Sequence, residues 1–70
     1  MLWIVLKSAS YQITSANMIK KDGKHELWVE RTNGKGLKLF ADADIYKVVE
    51  IKDAIDYAIK TRESTLELEL

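Results

Sequence analysis

Two Asx-Gly dipeptides, Asp22-Gly23 and Asn33-Gly34, cut the middle of this chain into strand-length pieces. Asp or Asn followed by Gly suits tight hairpins because both positions accept a positive φ, which matches the twist of the flanking strands. The middle of the chain therefore predicts a three-stranded meander.

Ahead of the meander, Leu2-Trp3-Ile4-Val5-Leu6 is an apolar run closed by Lys7, and Ser8-Ala9-Ser10 forms a short polar connection. The run is far shorter than the roughly 20 residues that span a bilayer. It also lacks a basic leader and a small-residue cleavage site. It predicts a buried strand from Leu2 to Lys7, in a soluble cytoplasmic protein without membrane contact.

In the second strand Tyr11 and Ile13 alternate with Gln12 and Thr14, but the alternation slips near Ser15-Ala16-Asn17, because Met18 and Ile19 are adjacent apolar residues. A β-bulge restores the pattern by adding one residue to the strand; a break and restart is the alternative. A two-residue loop at Asp22-Gly23 pairs Lys21 with Lys24, Lys20 with His25, Met18 with Leu27 and Ala16 with Val29. Leu27 and Val29 then mark one face, with Trp28 and Glu30 on the other.

The second turn carries two glycines, in Thr32-Asn33-Gly34-Lys35-Gly36, and admits two registers. A two-residue loop pairs Glu30 with Leu37 and Val29 with Lys38. A three-residue loop pairs Glu30 with Lys38, Val29 with Leu39 and Trp28 with Phe40, aligning opposite charges and apolar partners at a few tenths to about 1 kcal/mol per pair. The longer loop is favoured on that ground. It puts Met18, Leu27, Val29, Leu37 and Leu39 on one face and an aromatic patch, Trp28 with Phe40, behind it.

Asp42 or Asp44 then caps a helix, its carboxylate accepting the free amide hydrogens of the first turn. At 100° per residue, Ile45, Val48, Ile51, Ile55, Ala58 and Ile59 form one apolar arc that extends the helix to about Arg62. Lys52 sits at the edge of the arc, placed to extend its charge past an apolar stem. Tyr46, Glu50, Asp53 and Tyr57 face the other way, and Asp56 with Lys60 makes an i,i+4 ion pair worth about 0.2–0.5 kcal/mol. The tail, Thr65-Leu66-Glu67-Leu68-Glu69-Leu70, alternates strictly and reads as a strand. It either returns to the sheet, beside the first strand, or stays free to add to an edge in another molecule. Return is favoured, since a free tail of this kind is an aggregation hazard. The fold expected is thus α+β: an antiparallel meander of four strands, five with the tail, and one amphipathic helix on one face.

Seventy residues make one small domain, which buries only about 60% of its extended surface. Cysteine is absent, which removes disulfides, thiolate metal sites and cysteine nucleophiles together. Eleven basic and eleven acidic side chains cancel, but unevenly. Residues 20–38 hold six cations against three anions, and residues 41–70 hold eight anions against four cations. A basic hairpin region beside an acidic helix makes a dipolar surface, far from the strong positive field of a DNA-binding domain.

No set of residues assembles a reaction. His25 is the single histidine, and its neighbour Glu26 points to the opposite side of a strand, so the two do not converge on a metal or a proton. Asp42 with Asp44, Glu50 with Asp53 and Asp53 with Asp56 are close acidic pairs, but an exposed helix face offers no dry pocket to raise a carboxylate pKa. Gly34-Lys35-Gly36 lies between strands, where a phosphate loop needs GxxxxGK[ST] between a strand and a helix. Neither a cofactor, a metal, a small-molecule substrate nor catalysis is expected.

Binding is expected instead. Trp28, Phe40, Tyr46 and Tyr57 are aromatic anchors of the kind that bury large area with few rotatable bonds, and Leu66, Leu68 and Leu70 can pair through their strand. These residues point to a protein partner or to self-association as a homodimer, in a small regulatory or accessory module. The alternative is weak single-stranded nucleic-acid binding through Lys20, Lys21, Lys24, Arg31, Lys35 and Lys38, with the aromatic patch stacking bases. The two hairpin ends lie at opposite ends of the middle strand, so these cations do not form one continuous patch.

Overall fold

The computed structural model describes residues 1–70. Five strands and one helix follow in the order β1 (Leu2–Val5), β2 (Ser10–Lys21), β3 (Lys24–Arg31), β4 (Gly36–Asp42), α1 (Ile45–Lys60) and β5 (Thr65–Glu67). The strands form one sheet in the order β4-β3-β2-β1-β5, antiparallel throughout except for the β1–β5 pair. The architecture is the α+β meander with one helix on its face.

Asp22 and Gly23 adopt φ of 52° and 74°, so the two-residue hairpin loop forms as its sequence dictates. The β2–β3 register follows, with Met18 opposite Leu27 and Ala16 opposite Val29. The bulge in β2 falls between Ile13 and Ser15, one residue ahead of the Ser15-Ala16-Asn17 stretch in which the alternation slips. Thr14 is the added residue. It brings Ile13 and Ala16 to the same face, where both are buried.

The β3–β4 register corrects the expectation. The loop is Thr32-Asn33-Gly34, closed by Arg31 N–H donating to the Lys35 carbonyl at 2.9 Å and by Asn33 Oδ1 accepting from Lys35 N–H at 2.9 Å. Val29 therefore meets Leu37 and Trp28 meets Lys38. A second bulge, with Leu39 as the added residue, then turns β4 over, so that Phe40 lies opposite Leu27. Phe40 is consequently on the helix-covered face, packed against the core with Leu37 and Leu39. Burying three large apolar side chains of β4 outweighs the single aromatic pair with Trp28 that the unbulged register offers.

Asp44 caps α1, its carboxylate accepting Tyr46 N–H at 3.0 Å, while Asp42 accepts Asp44 N–H at 2.8 Å. The helix ends at Lys60, two residues before the apolar arc suggests. Arg62 takes φ of 58°, and the Arg62 and Glu63 amides return to the Ile59 and Ala58 carbonyls at 3.1 and 2.9 Å. That is a Schellman stop, here with arginine in the left-handed position where glycine is commonest. Asp56 pairs with Lys52 at 2.6 Å instead of with Lys60.

Val48, Ile55 and Ala58 of the helix are buried on Leu2, Ile4, Ile13, Ala16, Leu27 and Val29 of the sheet, and Leu68 completes this core. The tail returns: β5 lies parallel to β1, with Ile4 opposite Leu66, and Leu68 N–H donates to the Val5 carbonyl at 3.0 Å. No helix is long and apolar enough to cross a membrane.

Candidate functional site

The alternation of each strand decides what the bare side of the sheet displays. Leu2, Ile4, Ile13, Leu27 and Val29 turn toward α1, so Trp3, Gln12, Asn17, Ile19, Glu26, Trp28, Glu30 and Lys38 turn away from it. No element of the chain lies over that side. Both tryptophans are there. Trp28 is half-buried, its ring lying over Gly36, and Trp3 is 43% exposed. The first apolar run predicts a buried strand and hides Trp3; strict alternation with buried Leu2 and Ile4 is the signal that places it outside.

A polar clamp fixes the Trp28 ring. Its indole N–H donates to Glu26 Oε1 at 3.0 Å, two residues back on the same face, and Lys38 Nζ stands 3.6 Å from Glu26 Oε2. The indole hydrogen bond foremost, with Lys38 and Lys21 beside it, holds the Glu26 carboxyl below its ordinary range against the opposing effect of partial burial. A carboxyl lowered in the folded state contributes stability that is present above its unfolded-state pKa and is lost as pH falls through its folded-state value. The Trp28 indole N–H resonance is therefore expected to shift only at pH below the ordinary glutamate range, and Glu26→Gln to abolish that shift. A midpoint at or above the ordinary glutamate value would contradict the clamp.

The remaining candidates distribute as follows. Tyr46 and Tyr57 are 80% and 67% exposed on the far side of α1, away from the sheet. Leu66 is half-buried against the core, Leu68 is buried in it, and of the three tail leucines only Leu70 is exposed. Phe40, the expected partner of Trp28, is absent from the bare face for the reason given above. Lys20, Lys21 and Lys24 crowd the β2–β3 end, whereas Arg31 and Lys35 flank the β3–β4 loop at the other end. Arg31 lies over the Tyr11 ring at 5.2 Å, and Lys38 is engaged by Glu26. Five of the six cations are thus split between the two ends of β3, and Lys38 lies between them, opposite Trp28.

His25 lies between Lys20 of β2 and Asp42 of β4, and no three His, Asp or Glu side chains converge. No polar or charged side chain is buried. A cleft of about 220 Å³ opens between the end of α1 and the β1–β2 pair, lined by Met1, Leu2, Ile13, Thr14, Ile59, Arg62 and Glu63. Its Arg62 and Glu63 are exposed, so no desolvated group is available there to act as acid, base or nucleophile.

Comparison with protein-family models, curated proteins and solved structures returned no match for this chain.

Proposed function

We propose that the chain is a protein-binding module, a small accessory factor whose contact surface is the bare face of the sheet. The observation that carries this reading is that both tryptophans lie on the one face the helix leaves uncovered. Trp28 supports it further, because the Glu26 carboxylate fixes its ring before any partner arrives. An anchor already held in one orientation loses less conformational freedom on binding. Binding rather than chemistry is proposed because every titratable side chain is at least partly in contact with water.

Selection of peptides from a displayed library against the native chain tests the reading. Peptides so obtained are expected to lose at least tenfold in affinity on Trp28→Ala and on Trp3→Ala, since truncating an interface anchor costs about 2 kcal/mol or more. Tyr46→Ala and Tyr57→Ala are expected to leave them unchanged. Peptides indifferent to both tryptophans but lost with the tyrosines would move the surface to the helix. Titration with generic single-stranded oligonucleotides is expected to show no salt-dependent binding; a clear salt slope would favour nucleic acid as the partner instead.

A further inference from the structure

Three stretches of strand edge in this sheet have no neighbour, and two of them are blunted. The outer edge of β4 is interrupted by the bulge at Leu39. The outer edge of β5 is three residues long and carries Glu67, with Glu63 and Glu69 close by in the chain. Bulges, shortness and charge are the usual devices against edge-to-edge pairing. The third edge has none of them over most of its length. β2 runs for twelve residues, but β1 covers it only from Ser10 to Ile13. From Thr14 to Lys21 that side of β2 faces no strand, and no backbone hydrogen bond from a turn or loop reaches it. Ser15-Ala16-Asn17-Met18-Ile19 is uncharged and lacks Gly and Pro, and Ile19 is 45% exposed.

We propose that this notch receives the same segment of a second copy of the chain, the two β2 strands pairing antiparallel about a twofold axis at Met18. Three constraints select that register. Residues directly opposite each other in an antiparallel pair share a face, so Ala16, Met18 and Lys20 must meet one another across the axis, as must Ser15, Asn17, Ile19 and Lys21. Centring on Asn17 would set Lys21 of the second copy beside Ile13, a place already held by Leu2 of β1. Centring on Ile19 would shorten the contact to residues 17–21. With Met18 on the axis, Asn17 meets the second copy's Ile19, Ala16 meets its Lys20 and Ser15 meets its Lys21. No lysine faces a lysine. Lys21 of each copy is instead directed along the row that holds Ser15 and Glu30, a carboxylate for an ammonium. The product is a closed, isologous pair with one continuous sheet and both helices on the same face. It uses the backbone edge of β2; Asn17 and Ile19 also belong to the face of Trp3 and Trp28, so the two readings are separated by the Met18 cross-link on the helix side and by Trp28→Ala.

Sedimentation of the native chain over a range of concentration is expected to show a mass rising from 8.0 kDa toward twice that value. Asn17→Lys combined with Ile19→Lys sets lysine against lysine at two places and is expected to abolish the rise; Asn17→Glu with Ile19→Glu is expected to do the same. Both positions are exposed, so the fold should survive, and circular dichroism checks that it does. An equimolar mixture of the two double variants is expected to recover the doubled mass, because position 17 meets position 19 of the other copy. The chain has no cysteine, so Met18→Cys is expected to give a disulfide-linked pair on mild oxidation, and Lys24→Cys is not. A single-chain mass at every attainable concentration overturns the proposal, as does a dimer that survives both double variants or a mixture that stays monomeric. A dimer lost on Trp28→Ala but not on the changes at 17 and 19 overturns it too, and assigns self-association to the bare face.

Discussion

Ile55→Ala is expected to leave most molecules unfolded in mild denaturant and a sizeable fraction unfolded without it. Ile55 lies inside the helix, fully buried between α1 and the sheet. Truncating a buried isoleucine costs about 2–5 kcal/mol, the lost transfer energy plus that of the cavity left behind. A chain of 70 residues has a total stability of only about 4–10 kcal/mol on the usual per-residue scale. No disulfide or buried ion pair offsets the loss. Urea unfolding followed by tryptophan fluorescence measures it, with Asp53→Ala on the exposed side of the same helix as the comparison, expected to shift stability by no more than about 0.5 kcal/mol. Equal effects at the two positions would mean that α1 does not pack as described.

Leu68→Glu is expected to detach β5 from the sheet. Leu68 is buried in the core, and its amide is bonded to Val5. A carboxylate there would extend Glu67 and Glu69 into three consecutive negative charges, and it must be either desolvated or expelled. Expulsion removes Leu66 from opposite Ile4 and Leu68 from the core, at about 3 kcal/mol by analogy with other buried leucines. Trp3 reports the event, because it sits between Gln12 of β2 and Thr65 of β5. Its emission should move to longer wavelength while the Trp28 indole N–H resonance, three strand pairings away from β5, keeps its position. An unchanged melting temperature would show that β5 contributes nothing to the core.

What the residues disclose in advance, and what they hide, divides along the range of the interaction responsible. Asp22-Gly23 specifies a two-residue loop by local backbone preference alone, and the pairs from Lys21–Lys24 back to Ala16–Val29 follow from it. The apolar arc from Val48 to Ile59 and the Asp44 cap are equally local. The side that Phe40 faces is not legible, because the Leu39 bulge answers to a distant cause: the area that β4 gains against the helix-side core. No turn residue marks that bulge, and paired charges pointed to the wrong register. The apolar arc points two residues past the end of α1, because Arg62, unlike glycine, carries no sign of a left-handed φ. At the candidate surface, Trp28 and its face were legible from the alternation of β3. Trp3 was not, because an unbroken apolar run conceals which members face inward until the partner strand is known. The clamp of Glu26 on Trp28 was likewise hidden, since the expected pairing of Lys38 with Glu30 assigned the lysine to the other glutamate.

The seam between β1 and β5 joins Trp3 to Thr65 and Val5 to Glu67, almost the whole chain apart, whereas every other strand pair is linked by a short turn. Closing so long a loop is entropically slow, and contacts of large sequence separation retard folding. On a translating ribosome the hairpins can form in order as they emerge, yet this seam must wait until Thr65–Glu67 have cleared the exit tunnel. Until then the side of β1 destined for β5 is a vacant template with Ile4 beneath it. The period of greatest exposure to mispairing therefore falls between the emergence of the hairpins and the emergence of β5, when a nascent chain most needs either speed or a chaperone.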